Sequence, residues 1–171
     1  MLESFYPNHY VSSAYVIPYR QLYETGIRGV IFDVDNTLVP HDQPADERAR
    51  KLFEEFRAMG METCLLSNNR EPRVAAFAGC VGTKYIYKGG KPSTRGYVKA
   101  MELMGTGRDA TIFVGDQLFT DVYGANRAGI CSYLVKPIHP KEEIQIVVKR
   151  YLEAVVLYFY KKRCRERGRM G

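Results

Sequence analysis

The sequence predicts an α/β domain: a three-layer, Rossmann-like parallel sheet with helices on both faces. Short apolar runs, each ending in polar or Gly-rich sequence, alternate along the chain with segments of helical period, which is the pattern of β-α units. Length agrees, since 171 residues with 46% hydrophobic content suffice for one sizeable core but not for two catalytic domains.

Taken in order, residues 1–25 are rich in Tyr and Pro and read as an extension packing on the body. Within it only residues 19–25, before Gly26, have the makings of a short helix. Strands are expected over residues 29–33, 62–67, 84–87, 111–114 and 132–135. Between the first two, Ala49, Leu52, Phe53, Phe56 and Met59 recur at helical spacing, with Asp46 near the start and Gly60 as a stop. Further helices are expected over residues 71–77, over 93–104 with Ser93 or Thr94 as N-cap, and over 120–128, ended by Gly129. The stretch Lys136-Pro137-Ile138-His139-Pro140 resists regular structure and marks the boundary between a body at 26–136 and a C-terminal segment at 137–171.

That segment is a basic amphipathic helix and tail. From Lys136 onward there are ten Lys/Arg against four Asp/Glu, so the overall charge of +6 resides there and the body is balanced. An anionic surface would be met by the tail. Residues 144–160 are rich in apolar and aromatic side chains and lead into Lys161, Lys162, Arg163, Arg165, Arg167 and Arg169. Such a helix either packs on the sheet or lies in an anionic membrane interface. The longest apolar run is far short of the roughly 20 residues of a membrane span. No cleavable leader is visible, and Cys64, Cys80, Cys131 and Cys164 form no C-x-x-C pair, so a reducing cytoplasm is the expected compartment.

The chemistry concentrates at strand ends. Val30-Ile31-Phe32-Asp33-Val34-Asp35-Asn36-Thr37-Leu38 is an apolar strand running into two carboxylates and a hydroxyl. Ligands of open α/β sheets bind outside the carboxyl ends of the strands, and strand alternation would send Asp33 and Asp35 to one side. Two crowded acids call for a cation or a shared proton, and a hard divalent metal is the natural partner. A second apolar strand ends in Gly115-Asp116, with Asp121 five residues on. Between these segments lie Leu65-Leu66-Ser67-Asn68-Asn69 and the lysine of Gly89-Gly90-Lys91-Pro92. The set supplies a candidate nucleophile, proton donor, metal site and phosphate ligands.

These four segments, in this order, resemble the haloacid dehalogenase (HAD) superfamily: D-x-D-x-T at Asp33, Asp35 and Thr37, the motif-two hydroxyl at Ser67, the motif-three lysine at Lys91, and G-D-x-x-x-x-D at Gly115, Asp116 and Asp121. More narrowly they resemble the YqeG branch of its class IIIA phosphatases, which includes phosphatidylglycerophosphate phosphatases. The resemblance covers residues 26–136 and implies a HAD-like fold and an aspartyl-phosphate formed on Asp33. It also implies acid-base work by Asp35 and charge offset by Lys91. Phosphate oxygens would be held by Ser67, the backbone around Asn68, and Lys91, with Thr37 bracing the loop. Mg2+ would be bound by Asp33, the backbone carbonyl of Asp35, and Asp116, with Asp121 acting through water or Lys91. About 30 residues separate Thr37 from Ser67 and about 24 separate Ser67 from Lys91, which leaves no room for the cap domain of many such enzymes.

A cap-less site suits a phosphorylated substrate whose bulk stays outside. The expectation is a magnesium-dependent phosphatase for a large or lipid substrate such as phosphatidylglycerophosphate, cytoplasmic and peripheral at the inner face of the membrane. The alternatives are a phosphatase for phosphoproteins or nucleic-acid ends, and a non-catalytic binding protein on the same fold. Nucleic acid is disfavoured as a partner, because the Tyr-rich N-terminus has few adjacent cations. His41 and His139 read as loop residues.

Overall fold

In the computed structural model, which describes residues 2–139 and 144–168, the strands are β1 (His9–Val11), β2 (Gly29–Phe32), β3 (Glu62–Leu66), β4 (Lys84–Ile86), β5 (Thr111–Gly115) and β6 (Cys131–Val135). All pair in parallel, in the spatial order β1-β6-β5-β2-β3-β4. The helices are α1 (Tyr19–Glu24), α2 (Glu47–Met59), α3 (Glu71–Val81), α4 (Thr94–Met104), α5 (Tyr123–Ala128) and α6 (Ile144–Gly168).

Period-two alternation divides the core. Val30, Phe32, Leu65, Ile112 and Val114 point to the layer built from α1, α2 and α3. Ile31, Cys64, Leu66 and Phe113 point to the layer of α4 and α5. Both faces of β2 and β5 are therefore covered, which is why these strands read as unbroken apolar runs. Asp46 caps α2 by accepting a hydrogen bond from the Ala49 amide at 2.8 Å, and α2 stops at Gly60, whose φ of 77° is open to glycine at little cost.

The chain leaves the central β2 toward β3 and β4, then returns to build β5 and β6 on the other side. The carboxyl ends of β2 and β5 thus adjoin at the reversal of strand order, where such sheets bind ligands. α2 and β3 with their loops fill the chain between Thr37 and Ser67, and α3 and β4 fill the chain between Ser67 and Lys91, so neither gap holds an inserted domain.

Three departures from the sequence reading bear on the site. Residues 9–11 form an edge strand on β6, held also by the Asn8 side chain, which accepts from the Ser132 amide at 2.8 Å. β2 ends at Phe32, one residue short of the acid, so Asp33 to Asp35 lie in a loop where strand alternation no longer applies. The helix expected from residue 120 begins as a π-helical turn, Leu118–Val122, before α5.

α6 seats Val156 and Leu157 against Leu118, Val122 and Leu134. Its other side is an exposed apolar stripe of Val148, Tyr151, Leu152, Val155, Tyr158 and Phe159. Among the described residues no helix is long and apolar enough to cross a membrane. Pro140 of the expected boundary and Arg169 of the basic end lie outside the described residues.

Candidate active site

The two central strands each deliver one acid at their carboxyl ends. Asp33 follows β2 and is tied to β5 by its amide, which donates to the Val114 carbonyl at 2.9 Å. Asp116 follows β5, and Asp121 is returned to the same place by the π-helical turn. Ligand oxygens of Asp33, Asp116 and Asp121 lie within 4.8 Å of one another, and all three residues are buried.

Lys91, also buried, supplies the cation. Its Nζ donates to Asp33 Oδ1 at 2.6 Å and to Asp121 Oδ1 at 2.7 Å. Burial pushes Asp33 up to about 8; Lys91 opposes that push, and the repulsion of Asp121 and Asp116 adds to it. Burial likewise pushes Asp116 up to about 7, with Asp121 adding and Arg150 opposing. For Lys91, burial disfavours the cation, but Asp121 and Asp33 outweigh it and hold the ammonium well above its ordinary value. Three hard oxygen donors on one side of a buried ammonium are a donor set that fits Mg2+, which would offset the same repulsion.

Loops from other strands brace this centre. Asn68 exchanges two hydrogen bonds with the Lys91 backbone, its Nδ2 donating to the Lys91 carbonyl at 3.1 Å and its Oδ1 accepting from the Lys91 amide at 2.8 Å. The Asn68 side chain is thus committed to the lysine loop. Ser67 is buried at the end of β3, and its Oγ accepts from the Asn69 amide at 3.1 Å. Thr37 reaches across from the first loop, with Oγ1 lying 3.4 Å from Asp116 Oδ1. Tyr97 of α4 donates to the carbonyls of Thr120 and Asp121 at 2.9 and 3.0 Å, fixing the π-helical turn from beneath. Gly115 leaves space that Asp121 uses: a Cβ there would stand 2.5 Å from Asp121 Oδ2.

Asp35 departs from the expectation of a shared carboxylate cluster. Its carboxylate groups instead with His41 and Asp42. Oδ1 accepts from Arg73 Nη2 at 2.8 Å and from the Asp42 amide at 2.9 Å, and Oδ2 accepts from Asn69 Nδ2 at 3.3 Å. The cause is the early end of β2 and the turn that follows, where Asn36 takes a φ of 62°. Burial raises the Asp35 pKa, but the bonds from Arg73, Asp42 and Asn69 outweigh it and hold the carboxyl below its ordinary value.

Sequence reasoning missed two arginines. Arg73 of α3 pairs with Asp35, and Arg150 of α6 donates from Nη2 to Asp116 Oδ2 at 2.5 Å and from Nη1 to the Asp116 carbonyl at 2.7 Å. Arg73 is the one cation of α3 and Arg150 one of several on α6, and neither pattern names a partner. The lone acid of the apolar stretch of α6, Glu153, was the available signal, because a carboxylate there must be paired if buried.

Comparison with known proteins settles the lineage. The model of the haloacid dehalogenase-like hydrolases matches residues 39–129, a stretch that contains Ser67, Lys91, Asp116 and Asp121. The chain belongs to the haloacid dehalogenase-like hydrolase family. Among its relatives, this HAD-like hydrolase is 34% identical over 165 residues to the probable phosphatase YqeG of Bacillus subtilis, across 95% of this chain and 96% of that protein. It is 27% identical over 162 residues to phosphatidylglycerophosphate phosphatase 1, chloroplastic/mitochondrial, of Arabidopsis thaliana. That alignment covers 88% of this chain but only 47% of the plant protein, so the HAD-like hydrolase spans about half the length of that relative. Solved structures agree in fold. A hypothetical protein of Xanthomonas campestris superposes with TM-score 0.57 at 16% identity over 76% of each chain. A putative 3-deoxy-D-manno-octulosonate 8-phosphate phosphatase of Vibrio cholerae gives 0.54 at 18% identity, over 76% of this chain and 78% of that one.

Proposed function

We propose that this hydrolase is a magnesium-dependent phosphomonoester phosphatase working through an aspartyl-phosphate on Asp33. The observation that carries the proposal is the buried set at the strand-order reversal, where Lys91 bonds Asp33 and Asp121 with Asp116 beside them. A carboxylate oxygen of Asp33 attacks phosphorus, the bond to the leaving oxygen breaks, and Asp35 gives that oxygen its proton. Asp35 then takes a proton from water, the water oxygen attacks the phospho-enzyme, and inorganic phosphate leaves Asp33 free. To donate, Asp35 must first exchange its bond with Arg73 for a proton. Lys91 offsets charge on nucleophile and phosphate, while the Ser67 hydroxyl and the backbone of Asn68 hold phosphate oxygens. Mg2+, held by Asp33, the Asp35 carbonyl and Asp116 with Asp121 behind them, would supply further charge neutralisation.

For the substrate, we infer a phosphorylated lipid headgroup, phosphatidylglycerophosphate being the leading candidate. Three features support it: the absence of an inserted cap, the activity named for the plant relative, and the outer face of α6. On that face Tyr151 and Tyr158 are 75% and 65% exposed, and the exposed Lys161, Lys162 and Arg165 follow at the basic end. Aromatic and aliphatic groups next to cations suit an anionic lipid surface. On this proposal the enzyme works in the cytoplasm, peripherally at the inner face of the membrane.

The test is phosphate release, with Mg2+, from phosphatidylglycerophosphate in vesicles, a phosphopeptide and a 5′-phosphorylated oligonucleotide, each also with Asp33→Asn. Lipid turnover well above the other two, abolished in the variant, is the expected result. Preference for the peptide or the oligonucleotide would replace the lipid with that class, and turnover by Asp33→Asn would remove the mechanism. Membrane contact is tested separately by vesicle co-sedimentation of Tyr151→Ser/Tyr158→Ser, and undiminished binding would remove α6 from it.

A further inference from the structure

Lys149, Arg150 and Glu153 of α6 are directed at a single turn of the chain. Lys149 Nζ donates to Gln117 Oε1 at 2.9 Å. Arg150 grips Asp116 twice, at the carbonyl from Nη1 at 2.7 Å and at Oδ2 from Nη2 at 2.5 Å. Glu153, 4% exposed, accepts from the Leu118 amide at 3.0 Å through Oε1 and from Arg150 Nη1 at 3.1 Å through Oε2. Three consecutive residues, 116 to 118, are thereby held by one face of a helix that lies beyond the stretch matching the family.

Apolar seating alone would keep α6 on the sheet, and Val156 and Leu157 provide it. The grip on Asp116 adds something else. One guanidinium bonded to both the backbone and the carboxylate of a single residue fixes the side-chain torsions between them. With Oδ2 so held, Oδ1 is kept on the side of Thr37, whose Oγ1 lies 3.4 Å away. Partners of this kind behind a metal-binding carboxylate set its orientation, and losing one costs about 10- to 100-fold in metal affinity.

We propose that Arg150 is a positioning residue for Asp116, so that the docking of α6 completes the metal site from beyond the stretch that matches the family model. The proposal rests on the reading of Asp116 as a metal ligand. It has a consequence for the membrane question as well: deleting α6 would disturb the metal site and the lipid-facing stripe together, so truncation cannot separate them.

The test is direct binding of Mn2+ to the full chain, followed by the electron paramagnetic resonance signal of the free ion, with Mg2+ as competitor and no substrate present. Arg150→Met, close in length but uncharged, is expected to raise the Mn2+ dissociation constant about tenfold or more. Arg150→Lys, which keeps the charge but not the two-pronged grip, is expected to fall between. Charge repulsion by Arg150 predicts the reverse order, with Arg150→Met binding more tightly. Unchanged or tighter binding in Arg150→Met overturns the proposal. Circular dichroism shows whether each variant keeps its helices, and if Arg150→Met does not, wild-type affinity in Arg150→Lys overturns it in the same way. Asp116→Asn is the separate control: Mn2+ binding equal to wild type there removes Asp116 as a ligand, whatever Arg150 does.

Discussion

Gly115→Ala isolates the spacing on which the centre depends. The Gly115 backbone is not among the positive-φ positions, so alanine meets no conformational penalty there, and the effect is one of space. The added Cβ would stand 2.5, 2.6 and 2.8 Å from Oδ2, Cγ and Cβ of Asp121. Ordinary contact between such atoms begins near about 3.5 Å, so Asp121 must retreat by about 1 Å. It cannot retreat freely, because Oδ2 accepts from the Gln117 amide at 3.0 Å and Oδ1 from Lys91 at 2.7 Å. Moving Asp121 therefore re-aims Lys91, which also holds Asp33 at 2.6 Å. A misplacement of about 1 Å near the reacting atoms costs about 100-fold in rate, and overpacking of this kind costs about 1–3 kcal/mol in stability. The assay is kcat for a small aryl phosphate with saturating Mg2+, alongside a denaturant titration. Gly107→Ala, where nothing lies within 4 Å of the new Cβ, is the matched control and is expected to change neither. A Gly115→Ala enzyme within about twofold of wild type would refute the claim that Asp121 and Lys91 set the geometry of Asp33.

Two further predictions concern protons and packing. Because burial holds the pKa of Asp33 up to about 8 and that of Asp116 up to about 7, the folded chain keeps protons that the unfolded chain releases. The metal-free protein should lose stability as pH rises from about 4 toward about 8, the opposite of the contribution from Asp35, whose depressed pKa matters only below that window. Mg2+ binds the ionised carboxylates, so the Mg2+-induced rise in Tm should be larger at about pH 8 than at about pH 5.5, and an equal rise at both would contradict it. Phe56 is fully buried, with its ring 4.7 Å from that of Tyr19. Phe56→Ala should cost about 3–5 kcal/mol by urea titration while Mn2+ affinity below the transition stays unchanged, since the ring packs on the core aromatics Tyr19, Phe32 and Phe53.

The alternation of apolar strands with amphipathic helices follows from local periodicity, and the four motif segments follow from residue identity at strand ends. Both were legible because each strand end is a short-range event. Acids that close a fully apolar strand cannot be buried without partners, so a cation beside Asp33 was expected from the residues, while Lys91 in that role came from the family resemblance.

Other features were decided only by distant parts of the chain. The edge strand β1 is three residues long, too short for a period, and exists because it meets β6 more than a hundred positions later. The direction of the Asp35 side chain depended on where β2 stopped and on Arg73, which an adjacent crossover brings alongside. Arg150 looked like one more cation on a basic helix, and only the seating of Val156 and Leu157 on the sheet put its guanidinium on Asp116. Sequence by itself determined which groups stand at the ends of the strands, because strand identity and residue identity are local properties. Tertiary structure decided which cation meets which carboxylate, because an ion pair is fixed by the distance between two elements and not by the composition of either one.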